Sequence, residues 1–158
     1  MLNIFKNKRE EKHDHDAKIF NYDRINENIF IGNNMCCSAM LDEMLVKEGI
    51  YADISLEEKL ADNPVGAKAF LWVPIVDHNG PTLENIKITN AFIRSVVDTN
   101  QKVYVHCKNG HGRAPTIVIS YLMSTGMSYD DAYKLVKNKR PVIHLDIKQE
   151  TFLKSLEQ

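Results

Sequence analysis

Residues 106–116 read HCKNGHGRAPT. Before them, Lys102-Val103-Tyr104-Val105-His106 is a β-branched and aromatic run of strand length. After them, Ala114 to Thr125 is almost uniformly apolar and closes on Gly126, the pattern of a helix buried on all sides. A strand, a glycine loop and a central helix in that order are the unit from which a parallel sheet is built.

The flanking sequence repeats the alternation. Ile29-Phe30-Ile31 before Gly32, Ile50 to Ile54, and Phe70 to Val76 are apolar runs of strand length, and Pro74 in the third argues for a sheet edge or an early end. Ser38 is placed to cap a helix running to Glu48, with Leu41, Met44 and Leu45 at helical spacing and Gly49 as its stop. A second helix is expected over Thr82–Thr99, with Ile86, Ile93, Val96 and Val97 as its buried stripe. Ser128-x-x-Asp131 opens another that ends near Lys137 to Pro141, and a last one spans Ile147 to Leu156. The expected fold class is α/β: a central, largely parallel sheet of four to five strands flanked by helices. In such sheets the loops after the strands gather at one edge, which brings the loop at Asp77 and the loop at Cys107 together.

At 158 residues the chain is long enough for one domain that buries roughly two-thirds of its unfolded surface. Residues 1–20 read as a polar arm and 21–158 as a single domain. His13-Asp14-His15-Asp16 in the arm reads as solvated tail rather than as a metal site, because no further ligand cluster accompanies it. Apolar content of 44%, charged content of 26% and a net charge of −1 describe an ordinary globular protein, and give no reason to expect nucleic acid or stable membrane insertion. There is no apolar stretch typical of a signal peptide, and three cysteines do not make a disulfide framework, so a reducing, cytoplasmic setting is expected. Charge is distributed unevenly. The 31 residues from Thr99 to Tyr129 contain no acid, yet hold Lys102, Lys108, Arg113, His106 and His111. Apolar elements account for the missing acids, and the cations at the centre mark an anion site.

The loop chemistry follows from its parts. A loop ending at a helix N-terminus presents free backbone N–H groups and the positive end of the helix dipole. Gly110 and Gly112 let the backbone of Lys108, Asn109, Gly110, His111 and Gly112 curl so that its amides converge on an anion. Arg113 supplies a planar fork for two phosphate oxygens. Cys107 lies at the base of this cradle, where helix termini and cations favour the thiolate. A thiolate under a phosphate is placed for in-line attack on phosphorus, and the implied intermediate is a cysteinyl-phosphate. Expelling the alcohol needs a proton. Asp77, at the end of a strand and the start of an Asp-His-Asn-Gly-Pro loop, is the candidate donor. Asp98, Asp130 and Asp146 fall at helix ends, where capping or a dipole role suffices.

HCKNGHGR resembles the HCxxGxxR signature of the cysteine-based protein tyrosine phosphatase superfamily. The entry strand to Gly32, IYADISLEE at 50–58, VPIVDHNGPTLENI at 73–86 and Arg140-Pro141 resemble its small, atypical dual-specificity branch, over about residues 22–155. The resemblance implies Cys107 as nucleophile, Arg113 as phosphate clamp, Lys108 to Arg113 as the amide cradle, Asp77 as general acid and His106 as a supporting hydrogen-bonding residue. It implies no cofactor and no metal. The expected substrate is a phosphorylated protein, through phosphotyrosine and also phosphoserine or phosphothreonine. A phosphoinositide or other phospholipid headgroup is the alternative, and a catalytically weak phosphate-binding module is a third reading. Lys108 and His111 are candidates for favouring acidic or multiply phosphorylated substrates. Cys36 and Cys37 are expected to be ordinary residues beside the first helix rather than redox partners of Cys107.

One position departs from the pattern. The family places Ser or Thr after the arginine, where its hydroxyl donates to the leaving thiolate as water cleaves the intermediate; this chain has Ala114. Thr116 stands about 200° further round the helix and is a poor substitute. The second chemical step is expected to be slow.

Overall fold

The computed structural model describes residues 19–33, 39–59, 61 and 63–157. The polar arm up to Lys18, Ser38 as a cap, and Cys36 and Cys37 lie outside the described residues.

The chain runs β1 (Tyr22–Arg24), β2 (Ile29–Asn33), α1 (Ala39–Glu48), β3 (Ala52–Ser55), β4 (Ala69–Trp72), α2 (Leu83–Asp98), β5 (Val103–Cys107), α3 (Arg113–Ser124), α4 (Tyr129–Lys139) and α5 (Ile147–Ser155). The strands form a five-stranded sheet in the order β1-β2-β5-β3-β4, antiparallel at β1–β2 and parallel elsewhere. This is the α/β class expected, with two local differences. β1 was not foreseen: its three residues, Tyr-Asp-Arg, carry no apolar pattern. β4 stops at Trp72, two residues before Pro74, which lacks the N–H needed to continue a ladder. As the proline suggested, β4 is an edge strand.

Strand alternation divides the core between two faces. Ile29, Ile31, Ile54, Val103 and Val105 pack with residues of α2, α3, α4 and α5, whereas Phe30 and Tyr104 pack against Leu41, Met44 and Leu45 of α1. α3 is the central helix: every residue from Arg113 to Leu122 is buried. Each fully buried Ile, Val or Leu contributes about 1.5–3 kcal/mol, so this helix fixes where its N-terminus points.

Local signals set the helix ends. Thr82 caps α2 reciprocally with Asn85, the Asn85 N–H reaching Thr82 Oγ1 at 3.1 Å and the Thr82 N–H reaching Asn85 Oδ1 at 3.0 Å. Ser128 accepts the Asp131 N–H at the start of α4 at 3.1 Å. Gly49 ends α1 at φ 66°, a left-handed conformation that glycine adopts without strain. Among the described residues no helix is long and apolar enough to cross a membrane.

Candidate active site

β2, β3, β4 and β5 are mutually parallel, so their C-terminal ends share one edge. Glu57 and Asp77 lie on the segments that leave β3 and β4 there, and Cys107 is the last residue of β5.

Cys107 closes β5 and Arg113 opens α3, leaving five residues to reverse the backbone. Gly110 makes the turn possible, at φ 68°, and a Cβ there would stand 2.4 Å from the Gly32 carbonyl oxygen. Both the conformation and the contact exclude a side chain. The loop carbonyls are held from behind by Arg140, the residue that follows α4 and is itself fully buried. Its Nε donates to Gly110 O at 2.9 Å and its Nη2 to Asn109 O at 3.3 Å. The same guanidinium donates to Asp23 Oδ2 and Asn21 Oδ1, each at 2.6 Å, which ties the loop to β1. With the carbonyls turned back, the Gly110 N–H donates to Cys107 Sγ at 3.3 Å. Cys107 itself is 3% exposed.

Arg113 is 3% exposed, and both of its terminal nitrogens are hydrogen-bonded. Nη1 donates to Ile75 O at 2.9 Å and Leu56 O at 3.2 Å, and Nη2 to Glu57 Oε1 at 3.3 Å. Nε lies 3.2 Å from Asp77 Oδ1. The Glu57 contact orients the fork, and Asp77 stands beside the Nε edge of the guanidinium, in the pocket that both residues line. The residue after the arginine, Ala114, is fully buried, and Thr116 Oγ1 donates to Gly112 O at 2.8 Å, so its proton is committed to the loop carbonyl.

The pocket over the cysteine is lined by Asp77, His78, Cys107, Asn109, His111, Gly112, Arg113, His144 and Asp146. The structure therefore brings Cys107, Arg113 and Asp77 to one place, with Asn109, His111 and Gly112 from the loop. Lys108 is exposed and not among the lining residues. His106 points to the opposite face of the sheet, fully buried, its Nε2 3.2 Å from Asp53 Oδ2 and its ring stacked on Tyr104. Burial first, reinforced by Asp53, pushes the Tyr104 hydroxyl well above the ordinary tyrosine range, so it stays protonated and donates to Asn33 O at 2.7 Å.

Several contributors had no local signal. Asp146 is the N-cap of α5, as its position at a helix end implied, but it also lines the pocket and stands 3.1 Å from His78 Nδ1. Gln149 on α5 is buried against Gly112 and donates to Asn79 O at 3.3 Å, joining the loop after Asp77 to the phosphate loop. Glu57 lies inside IYADISLEE, a segment noted only for its resemblance. Asp98 and Asp130 do not line the pocket.

A cysteine under an amide cradle, an arginine clamped beside it and a carboxylate across the pocket define a phosphate-handling site, and the comparisons agree. Residues 29–158 match the family model "Dual specificity phosphatase, catalytic domain". Mouse dual specificity phosphatase 28 is 31% identical over 121 residues, covering 75% of this chain and 73% of that protein. Drosophila melanogaster dual specificity protein phosphatase Mpk3 is 31% identical over 118 residues; the match covers 72% of this chain but only 28% of that longer protein. The crystal structure of PTPMT1 in complex with PI(5)P superposes with a TM-score of 0.76 at 25% identity, over 85% of this chain and 92% of that one. The chain belongs to the dual specificity phosphatases, the small branch of the cysteine-based protein tyrosine phosphatase superfamily, and is a cysteine-dependent phosphatase.

Proposed function

We propose that this chain hydrolyses phosphomonoesters through a cysteinyl-phosphate on Cys107, with phosphotyrosine of proteins as the principal substrate and phosphoserine or phosphothreonine accepted. The observation that carries the reading is the convergence of Cys107, Arg113 and Asp77 on one pocket. The phosphate enters against the amides of residues 108–113 and takes the edge of Arg113 that Asp77 occupies in the resting structure. Cys107 Sγ attacks phosphorus while the displaced Asp77 protonates the leaving oxygen. Water then cleaves the S–P bond, with Asp77 receiving its proton, and phosphate departs. Residues 21–158 act as a single catalytic domain. The free thiol this chemistry needs suits a reducing, cytoplasmic setting.

Rates of wild type and Cys107→Ser on an aryl phosphate, from pH 4 to 8, test the reading. Loss of all turnover in the variant is expected, and equal rates would overturn it. A phosphoinositide substrate is the second reading, favoured by the likeness to PTPMT1 with its PI(5)P. A panel of phosphopeptides and phosphoinositides at equal concentration separates the two by kcat/KM.

A further inference from the structure

Where Asp77 can deliver a proton depends on what holds its carboxylate, and the loop that carries it rests on α5. The three residues after Asp77 all make that contact. His78 Nδ1 lies 3.1 Å from Asp146 Oδ2. Lys148 Nζ donates to Asn79 Oδ1 at 2.8 Å, and Gln149 Nε2 to Asn79 O at 3.3 Å. A Cβ on Gly80 would stand 3.1 Å from Lys148 O. α5 is itself anchored, with Gln149 and Leu153 buried and the Asp146 N–H donating to Gln149 Oε1 at 3.0 Å.

The link from α5 to the carboxylate runs through the backbone of His78. This residue has φ 61°, a left-handed conformation that a side-chain-bearing residue keeps only where its surroundings hold it. In that turn its N–H donates to Asp77 Oδ1 at 3.1 Å. The same oxygen stands 3.2 Å from Arg113 Nε, so two N–H groups face it. An oxygen engaged by N–H donors is the poorer place for a proton, so the acid form of Asp77 carries its proton on Oδ2.

We propose that Asp146 is a positioning residue for proton transfer: by holding the His78 imidazole it fixes the turn whose N–H binds Asp77 Oδ1, and so presents Oδ2 to the leaving oxygen. The inference rests on Asp77 being the general acid. When phosphate takes Arg113 from Asp77, the His78 N–H is the donor that stays with Oδ1. Cys107 Sγ then forms its bond to phosphorus, the bond from phosphorus to the alcohol oxygen breaks, and that oxygen takes the Oδ2 proton.

Asp146 also caps α5, and the choice of variants separates the two roles. Serine caps a helix about as well as aspartate but is too short to reach His78, whereas asparagine keeps both the cap and the reach. The readout is kcat/KM on phenyl phosphate and on 4-nitrophenyl phosphate, which reports the first chemical step even where the second limits turnover. In Asp146→Ser the ratio of the 4-nitrophenyl to the phenyl value is expected to rise about tenfold, because a misplaced acid matters most to the poor leaving group. Asp146→Asn brings the ratio most of the way back. His78→Gly removes the anchored ring and leaves the cap in place; it raises the ratio as well, and the double variant with Asp146→Ser raises it no further. An unmoved ratio in folded Asp146→Ser, or one that Asp146→Asn fails to restore, overturns the proposal and leaves Asp146 as a cap alone. Should Asp146→Ser not fold, His78→Gly decides. Asp77→Asn in the same assay keeps the two readings apart. A ratio unmoved there removes Asp77 as the acid; a rise there with none in the Asp146 and His78 variants removes only the positioning role.

Discussion

Replacing Asp77 with asparagine separates two things that its carboxylate does. In the resting structure Asp77 Oδ1 stands 3.2 Å from Arg113 Nε, with Arg113 3% and Asp77 45% exposed at the side chain. A phosphate dianion must displace that carboxylate to reach the guanidinium. At this distance and an effective dielectric of about 20, the gross attraction is on the order of 5 kcal/mol. Solvent around the half-open carboxylate and the entropy of holding it reduce the net value to about 1 kcal/mol. Asparagine keeps the shape and removes the charge, so inorganic phosphate is expected to bind about fivefold more tightly. The same change deletes the proton donor. Turnover of phenyl phosphate, a poor leaving group, is expected to fall by about 10²–10³, and that of 4-nitrophenyl phosphate by much less. Calorimetric titration with phosphate and a leaving-group series measure the two effects separately. Phosphate binding that is unchanged or weaker refutes the competition for Arg113. Equal losses across the series refute the acid role.

Three further substitutions address the rest of the site. Ala114→Ser restores a hydroxyl at a fully buried position beside the loop, and a hydrogen bond to the leaving thiolate is expected to raise the steady-state rate about tenfold while shrinking the pre-steady-state burst. Stopped-flow release of 4-nitrophenolate reads both quantities. Gly110→Ala forces a side chain onto a backbone at φ 68° and against the Gly32 carbonyl. It is expected to cost about 2 kcal/mol or more in chemical denaturation and to abolish phosphate binding. Arg140→Met removes the buried guanidinium that holds two loop carbonyls and leaves Asp23 unpaired. A loss of about 3–5 kcal/mol in the same assay is expected, with turnover impaired even where the protein remains folded.

How far the sequence disclosed this arrangement depends on the range of each interaction. The helices α2, α4 and α5 announce themselves through caps and periodicity, which are local, and α3 through an unbroken apolar run that only a central helix would carry. Pro74 marked the end of β4 for the same local reason. Cys107, Gly110 and Arg113 were readable because their chemistry is concentrated in seven consecutive residues. Asp77 was readable because parallel strands bring their exits to one edge. What could not be read is what closes across long separations. Arg140 lies 30 residues from Gly110 and 117 from Asp23, and nothing in Arg-Pro announces a buried brace. Glu57 on Arg113, Gln149 against Gly112 and Asp53 under His106 are likewise products of packing. Asp146 was recognised as a cap, but a cap that also lines the pocket requires the position of α5. β1 escaped notice because three polar residues form a strand only when β2 offers an edge to pair with.

The covalent intermediate on Cys107 tests the central claim most directly. Wild-type protein mixed with excess 4-nitrophenyl phosphate is quenched in acid within milliseconds, digested, and its Cys107 peptide weighed. A phosphorylated Cys107 peptide formed at the rate of the burst, absent in Cys107→Ser and depleted in Ala114→Ser, is the expected result. Turnover at full rate with no phosphate ever found on Cys107 would contradict it.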